Sequence, residues 1–303
     1  MPEADLDTAG QNRTGLFYAV AAFIWWAGSV FYFKAVEHVS PLEVLAHRVI
    51  WTAALLVTGL VLSGRATELA VGFRRRRTTL AIIATTLLIG SNWYVFIWAI
   101  AHDRVLDTSL AYYITPLLNV GFGALFLRER FRPLQVVAVA MALVSLSVQG
   151  FQFGGLPLIS LFLAFSFSIY GLIRKVAATD PVIGTTAEMV LLSPAALLFF
   201  VHSYRQGALS FTNLGIGTDL LLVAAGVVTA VPQIWFLRGA KSLRYATLGM
   251  VQFILPSLTF IIAVFVYHEP FSTLQFASFA IVWAAVSLYS VDTWRFHRGS
   301  RMH

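Results

Sequence analysis

A chain of 303 residues with 58% apolar side chains, 12% charged residues and a mean hydropathy of +0.78 cannot cover a soluble surface, which in ordinary domains draws on about 25% charged residues. This composition excludes an ordinary cytosolic enzyme, a disordered chain and, with no cysteine at all, a secreted disulfide scaffold. An all-α integral membrane protein remains, and its net charge of +7, carried by 21 basic residues of which three are lysine, reports topology before it reports a polyanionic partner.

The first 14 residues are polar and acidic, with Glu3, Asp5 and Asp7, and no basic stretch feeds a short apolar run, so 1–14 reads as a retained cytoplasmic tail. A hydrocarbon core of ~30 Å needs roughly 20 apolar residues per helix. Ten segments satisfy that ruler, at 15–33, 42–63, 79–100, 106–127, 133–150, 155–173, 182–203, 218–238, 245–267 and 271–292, and 293–303 forms a second tail. Most linkers are short, so successive spans are expected to run antiparallel. On that frame 17 basic residues fall on the side of the two termini, three (Lys34, Arg104 and Arg205) fall on the other, and Arg48 lies inside a span. The bias places both termini in the cytoplasm of a bacterial-type inner membrane.

The chain also resembles itself. Adding 140 to a residue number aligns its halves, 15–150 and 155–292, without a gap. Lys34 falls on Arg174, Pro41 on Pro181, Arg65 on Arg205, Arg104 on Arg244, Pro116 on Pro256, Glu129 on Glu269 and Gln135 on Gln275. Each half holds five spans, an odd number, so the second half is expected upside down relative to the first. Two inverted five-helix repeats are an architecture of secondary transporters; the alternative is a duplicated structural bundle without flux.

The segment Phe33-Lys34-Ala35 through Ser40-Pro41-Leu42-Glu43 and Ala46-His47-Arg48, then Ser91-Asn92-Trp93, Tyr112 to Leu117 and Leu127 to Arg130, resembles the RarD-like branch of the EamA-type transporters. The run Gln252 to Pro270 fits the same pattern. The resemblance covers nearly all of 15–292 and implies ten helices in two inverted repeats of the drug/metabolite transporter superfamily. It does not supply a substrate.

A charge inside a span needs a partner, a cavity or a role. Glu43 and His47 share a face of the second span, and Arg48 follows at once. Seven residues past Pro41, at ~1.5 Å each, place Arg48 roughly 10 Å below the outer surface. Its counterpart at the repeat offset is Glu188, at the matching depth from the inner surface. Two readings stay open: Arg48 and Glu188 pair as a lock, or they face a cavity from opposite ends and handle substrate charge or protons. For His47 a hydrogen bond to Glu43 suffices. Asn92 and Trp93 lie near the middle of the third span, Tyr112 and Asn119 in the fourth, Gln233 in the eighth and Gln252 in the ninth. Pro116, Pro194, Pro232 and Pro256 free backbone carbonyls within spans, which must be satisfied by protein or cavity water. Clustering of these polar groups near mid-depth favours a cavity over scattered interhelical bonds. Trp25, Trp26 and Trp93 also lie near mid-span, where they either pack or line a pocket for a flat or cationic solute. Glu129 and Glu269 read as helix-end structure, Glu129 through ion pairs with Arg128 and Arg130.

No G-x-x-x-x-G-K-[ST] loop, no metal-binding histidine pair and no basic face for nucleic acid is present, so neither a cofactor nor a metal is expected. Gly215 to Asp219 only approximates an intramembrane protease motif, so an enzyme is not the expectation. The leading expectation is a transporter of a small organic metabolite or drug-like molecule by alternating access, with Glu188 or the Glu43–His47 pair as proton carriers if it is proton-coupled. The alternatives are a flippase for a lipid-linked substrate and a membrane interaction or sensor protein without flux. A homodimer in the bilayer is compatible with each.

Overall fold

The computed structural model describes residues 3–73, 75–102, 104–150, 157–268 and 271–299, and every regular element among them is an α-helix. In chain order these are α1 (Glu3–Ala35), α2 (Pro41–Leu62), α3 (Ala66–Gly72), α4 (Arg76–Ala101), α5 (Val105–Leu127) and α6 (Pro133–Gly150). The second half holds α7 (Leu158–Val176), α8 (Pro181–Arg205), α9 (Ile216–Ser242), α10 (Tyr245–Gln252), α11 (Ile254–Phe265) and α12 (Thr273–Gly299). Among the described residues nine helical stretches are long and apolar enough to cross a membrane, α10 and α11 counting as one, and α6 is a shorter apolar helix. The ten expected spans map onto these elements. The acidic stretch from Glu3 is helical and continuous with the first span.

The helix starts follow from local chemistry. Pro41 and Pro181 open α2 and α8 at a position where the missing N–H is unneeded. Asp180 caps α8 by accepting from Val182 N at 3.0 Å and Ile183 N at 3.3 Å. The expected single ninth span is broken at Phe253. Pro256 has no N–H for the Gln252 carbonyl four residues earlier, and its ring clashes there, so α10 ends and α11 begins.

Helix pairing interleaves the two halves. α1 packs on α9 and α4 on α7; α2 packs on both α8 and α9; α5 lies against α7 and α10, and α6 against α12. Exchanging each helix for its counterpart at the repeat offset turns α1 on α9 into α7 on α4 and leaves α2 with α8, α5 with α10 and α6 with α12; α2 on α9 becomes α8 on α4, and α5 on α7 becomes α10 and α11 on α1, which are contacts as well. Small residues permit the closest crossings. Gly226 of α9 lies against the Trp51 backbone of α2, where an added Cβ would meet the Trp51 carbonyl carbon and oxygen at 2.7 Å. Across the same crossing the Thr52 hydroxyl donates to the Gly226 carbonyl at 3.2 Å. The main core gathers Phe23, Trp26, Phe167, Tyr170 and Phe236 from α1, α7 and α9, adjoining the mid-membrane polar residues.

Candidate functional site

A cavity of ≈ 140 Å³ opens between α1, α2, α4, α5, α7, α9, α10 and α11. That is the size of an apolar protein cavity of ~150 Å³ known to accept one benzene ring. Six of the sequence-predicted site residues line it: Arg48, Asn92, Trp93, Tyr112, Gln233 and Gln252. Trp26, Phe33, Phe96 and Phe167 supply aromatic wall, and Ser29, Thr108, Thr115 and Thr229 supply hydroxyls.

The polar side chains are fixed from behind. Asn92 Nδ2 donates to the Leu163 carbonyl and to Ser166 Oγ, both at 2.9 Å, tying α4 to α7. Asn119 is fully buried one step outside the cavity and donates from Nδ2 to Gln252 Oε1 at 2.7 Å, tying α5 to α10. Gln233 Nε2 donates to the Tyr170 hydroxyl at 2.7 Å, and that hydroxyl donates to Glu188 Oε2 at 3.2 Å. Arg48 projects from α2 with Nε donating to Thr229 Oγ1 of α9 at 3.0 Å. Its guanidinium carbon lies 4.4 Å from the Trp93 ring centroid and 5.6 Å from that of Phe33.

Glu188 is not paired with Arg48. It lies behind the cavity wall, fully buried, with Oε1 at 3.5 Å from Nε of Arg174. Arg174 Nη2 also donates to the Pro181 carbonyl at 3.0 Å, and a Cβ on Gly184 would collide with the guanidinium. The lock exists, but its cation is a residue placed in a cytoplasmic loop by the span ruler, because α7 runs on to Val176 and buries Arg174. Helix α7 runs three positions past the expected end at 173, and no sequence signal marks that extension.

Glu43 and His47 lie outside the cavity. The Glu43 carboxylate is buried and accepts from Ser210 N at 2.9 and 3.0 Å and from Phe211 N at 2.9 Å, pinning the α8–α9 loop to the start of α2. His47 receives the Trp51 indole N–H on Nδ1 at 3.0 Å, which leaves the ring proton on Nε2, 3.9 Å from Glu43 Oε1. Phe200 and Phe211 close over the imidazole with ring centroids at 4.8 Å. Both residues hold a loop. Glu129 acts alike: it accepts from Tyr245 N at 2.6 Å and Ala246 N at 3.0 Å at the start of α10, and its ion-pair partner is Arg244, not its arginine neighbours. Glu269 lies outside the described residues. Trp25 packs edge-on against Trp235 at 5.7 Å and leaves the cavity to Trp26 and Trp93. No group of three metal-ligating side chains occurs among the described residues.

A membrane-embedded helical bundle around a polar, aromatic-walled cavity is the form of a multi-pass transporter. Residues 13–149 match the EamA-like transporter family model. The chain is 37% identical over 302 residues to "Uncharacterized transporter YojE" of Bacillus subtilis (strain 168), covering 97% of this chain and 99% of that one. It is 37% identical over 284 residues to "Protein RarD" of Escherichia coli (strain K12), covering 94% and 96%. A solved structure titled "Crystal structure of protein" superposes with a TM-score of 0.69 over 91% of this chain and 97% of that one, at 18% identity, which speaks for the fold. The chain belongs to the EamA-like transporter family. It is a membrane transporter of the drug/metabolite superfamily, not an enzyme.

Proposed function

We propose that the chain is a secondary transporter that moves a small organic molecule by alternating access, with the halves 15–150 and 155–292 as inverted repeats around a central site. The observation that carries this reading is that one cavity takes its walls from both halves: α1, α2, α4 and α5 on one side, α7, α9, α10 and α11 on the other. Rocking of one half against the other would expose such a site to each face in turn. Arg48, Asn92, Trp93, Tyr112, Gln233 and Gln252 contact the substrate, and Asn119 positions Gln252. Glu188 and Arg174 form an internal bolt behind Gln233. Glu43 and His47 brace the outer loop and have no part in substrate contact. The two termini face the cytoplasm.

Ala111 lines the cavity and the chain has no cysteine to remove. In an Ala111→Cys protein, a membrane-impermeant maleimide should label the thiol in right-side-out and in inverted vesicles, each labelling being slowed by a transported solute. Labelling from one side alone, unchanged by every solute that stabilises the purified protein, would leave a one-sided receptor in place of a transporter.

A further inference from the structure

The charges of the cavity are unbalanced, and the imbalance defines what the cavity takes. Among the described residues Arg48 is the one charged side chain that lines it; no aspartate or glutamate does. Arg48 is in none of the ion pairs within 4.0 Å among the described residues, and its hydrogen bond there, to Thr229, uses Nε alone. The planar fork of Nη1 and Nη2 is left to the cavity. A guanidinium at membrane depth calls for a counter-charge.

The second half of the chain shows what such compensation looks like. The residues at the repeat offset from Lys34 and Arg48 are Arg174 and Glu188, and these close on each other at 3.5 Å. In the first half both positions are cationic. Lys34 sits at 2.6 Å from Glu37 on an exposed turn, and Arg48 faces the cavity instead.

We infer that the missing counter-charge is the substrate, an organic monoanion whose carboxylate is held by the Arg48 fork and whose apolar or aromatic body lies against Trp26, Phe96 and Tyr112. Guanidinium and carboxylate match in a bidentate pair, the strongest class of hydrogen-bonded contact. The aromatic walls do not make a cation cage, since the Arg48 guanidinium already covers Trp93 at 4.4 Å and repels a second positive charge. A zwitterionic amino acid is disfavoured for the same reason: its ammonium would find amides and hydroxyls, but no carboxylate. The volume of ≈ 140 Å³ sets the scale of the body near one ring. This inference rests on the transport reading above, and its test separates the two.

The purified full chain in a non-ionic detergent is unfolded thermally with acetate, benzoate and 3-phenylpropionate, beside the matched uncharged amides and the amines benzylamine and 3-phenylpropylamine. The ring-bearing carboxylates should raise the unfolding temperature saturably, as ligands of the folded state do, and the amides and amines should not. Arg48→Gln should weaken the carboxylate effect about tenfold to hundredfold, the range for a charge-assisted contact, and Arg48→Lys should fall between. Equal stabilisation by amides or amines, no stabilisation by any carboxylate, or a carboxylate effect that survives in Arg48→Gln overturns the inference. The isostere comparison needs no variant, so it decides the matter even where Arg48→Gln misfolds. Counterflow of labelled benzoate and 3-phenylpropionate in proteoliposomes completes the test. Arg48-dependent binding without counterflow upholds the anion site and overturns transport. Counterflow of amines that is indifferent to Arg48→Gln upholds transport and overturns the anion site.

Discussion

Replacing Arg174 by Met removes the cation from the bolt behind the cavity and strands Glu188, which is fully buried. At a separation of 3.5 Å and an effective dielectric constant of about 20, two unit charges attract by roughly 5 kcal/mol. Desolvation has already offset much of that in the folded protein, and measured costs of breaking a buried pair from one side are about 3–5 kcal/mol. What remains to Glu188 is one hydrogen bond, from the Tyr170 hydroxyl. The Pro181 carbonyl loses its Arg174 donor as well. We therefore expect Arg174→Met to lower unfolding free energy by about 3–5 kcal/mol.

The double variant Arg174→Met with Glu188→Leu has no charge left to strand. It should return to within about 1–2 kcal/mol of the parent, the remainder being the unmade bond to Pro181. Arg48→Met with Glu188→Leu, by contrast, should be additive within about 0.5 kcal/mol, because those two residues share no ion pair. The measurement is equilibrium unfolding in mixed micelles, followed by tryptophan fluorescence and helical circular dichroism. A single Arg174→Met cost below about 1 kcal/mol, the level of an exposed pair, refutes the reasoning. So does a coupling energy larger for Arg48 with Glu188 than for Arg174 with Glu188.

Glu43→Ala removes the acceptor for Ser210 N and Phe211 N and should cost about 1–3 kcal/mol, with faster proteolysis between α8 and α9; unchanged proteolysis would remove the loop-bracing role. Glu43→Gln keeps an acceptor of the same shape and should recover part of the loss. Gly226→Leu drives a side chain into the Trp51 backbone, which cannot yield, and should cost at least the ~1–3 kcal/mol of overpacking, seen as a fall in folded yield and unfolding temperature. For topology, a cysteine at Gly207 should react with an impermeant maleimide from outside and one at Gly72 should not; the reverse pattern inverts the assignment drawn from arginine.

Much of the fold was legible because hydropathy and length are the terms a bilayer imposes most strongly. Pro256 announces its own break. The cavity set was legible for a related reason: Asn92, Gln233 and Gln252 are amides in apolar segments, and such groups turn inward. The partner of Glu188 was not legible. A repeat offset relates positions, not contacts, and Arg48 and Glu188 correspond to each other without touching. Arg174 was hidden by a span ruler that stopped at residue 173, since nothing in the run Ile173-Arg174-Lys175 tells a buried arginine from a loop arginine. Glu43 misled for another reason. An acid four residues before a histidine has the spacing of a proton relay, and only the folding-back of Ser210 and Phe211 shows the carboxylate already engaged.

The two prolines at the repeat offset put the backbone irregularity beside the cavity. Pro116 lacks the N–H that would bond the Tyr112 carbonyl, and Pro256 lacks the one for Gln252; both of those residues line the cavity. In a bilayer such freed carbonyls survive only where protein or cavity water reaches them. The consequences differ between the halves. α5 runs through Pro116 unbroken, and Gly249 of α10 packs so closely there that a Cβ would lie 2.5 Å from the Pro116 carbonyl oxygen. The other helix splits at Phe253 into α10 and α11. α10, held by Glu129 at its start and by Asn119 at Gln252, is fastened at both ends, while the buried part of α11 is confined to Leu255 and Pro256. A joint between a fastened segment and a lightly packed one, one residue from a cavity side chain, is where a helix can bend at least cost. The alternating-access reading proposed above predicts that the bundle hinges at Phe253.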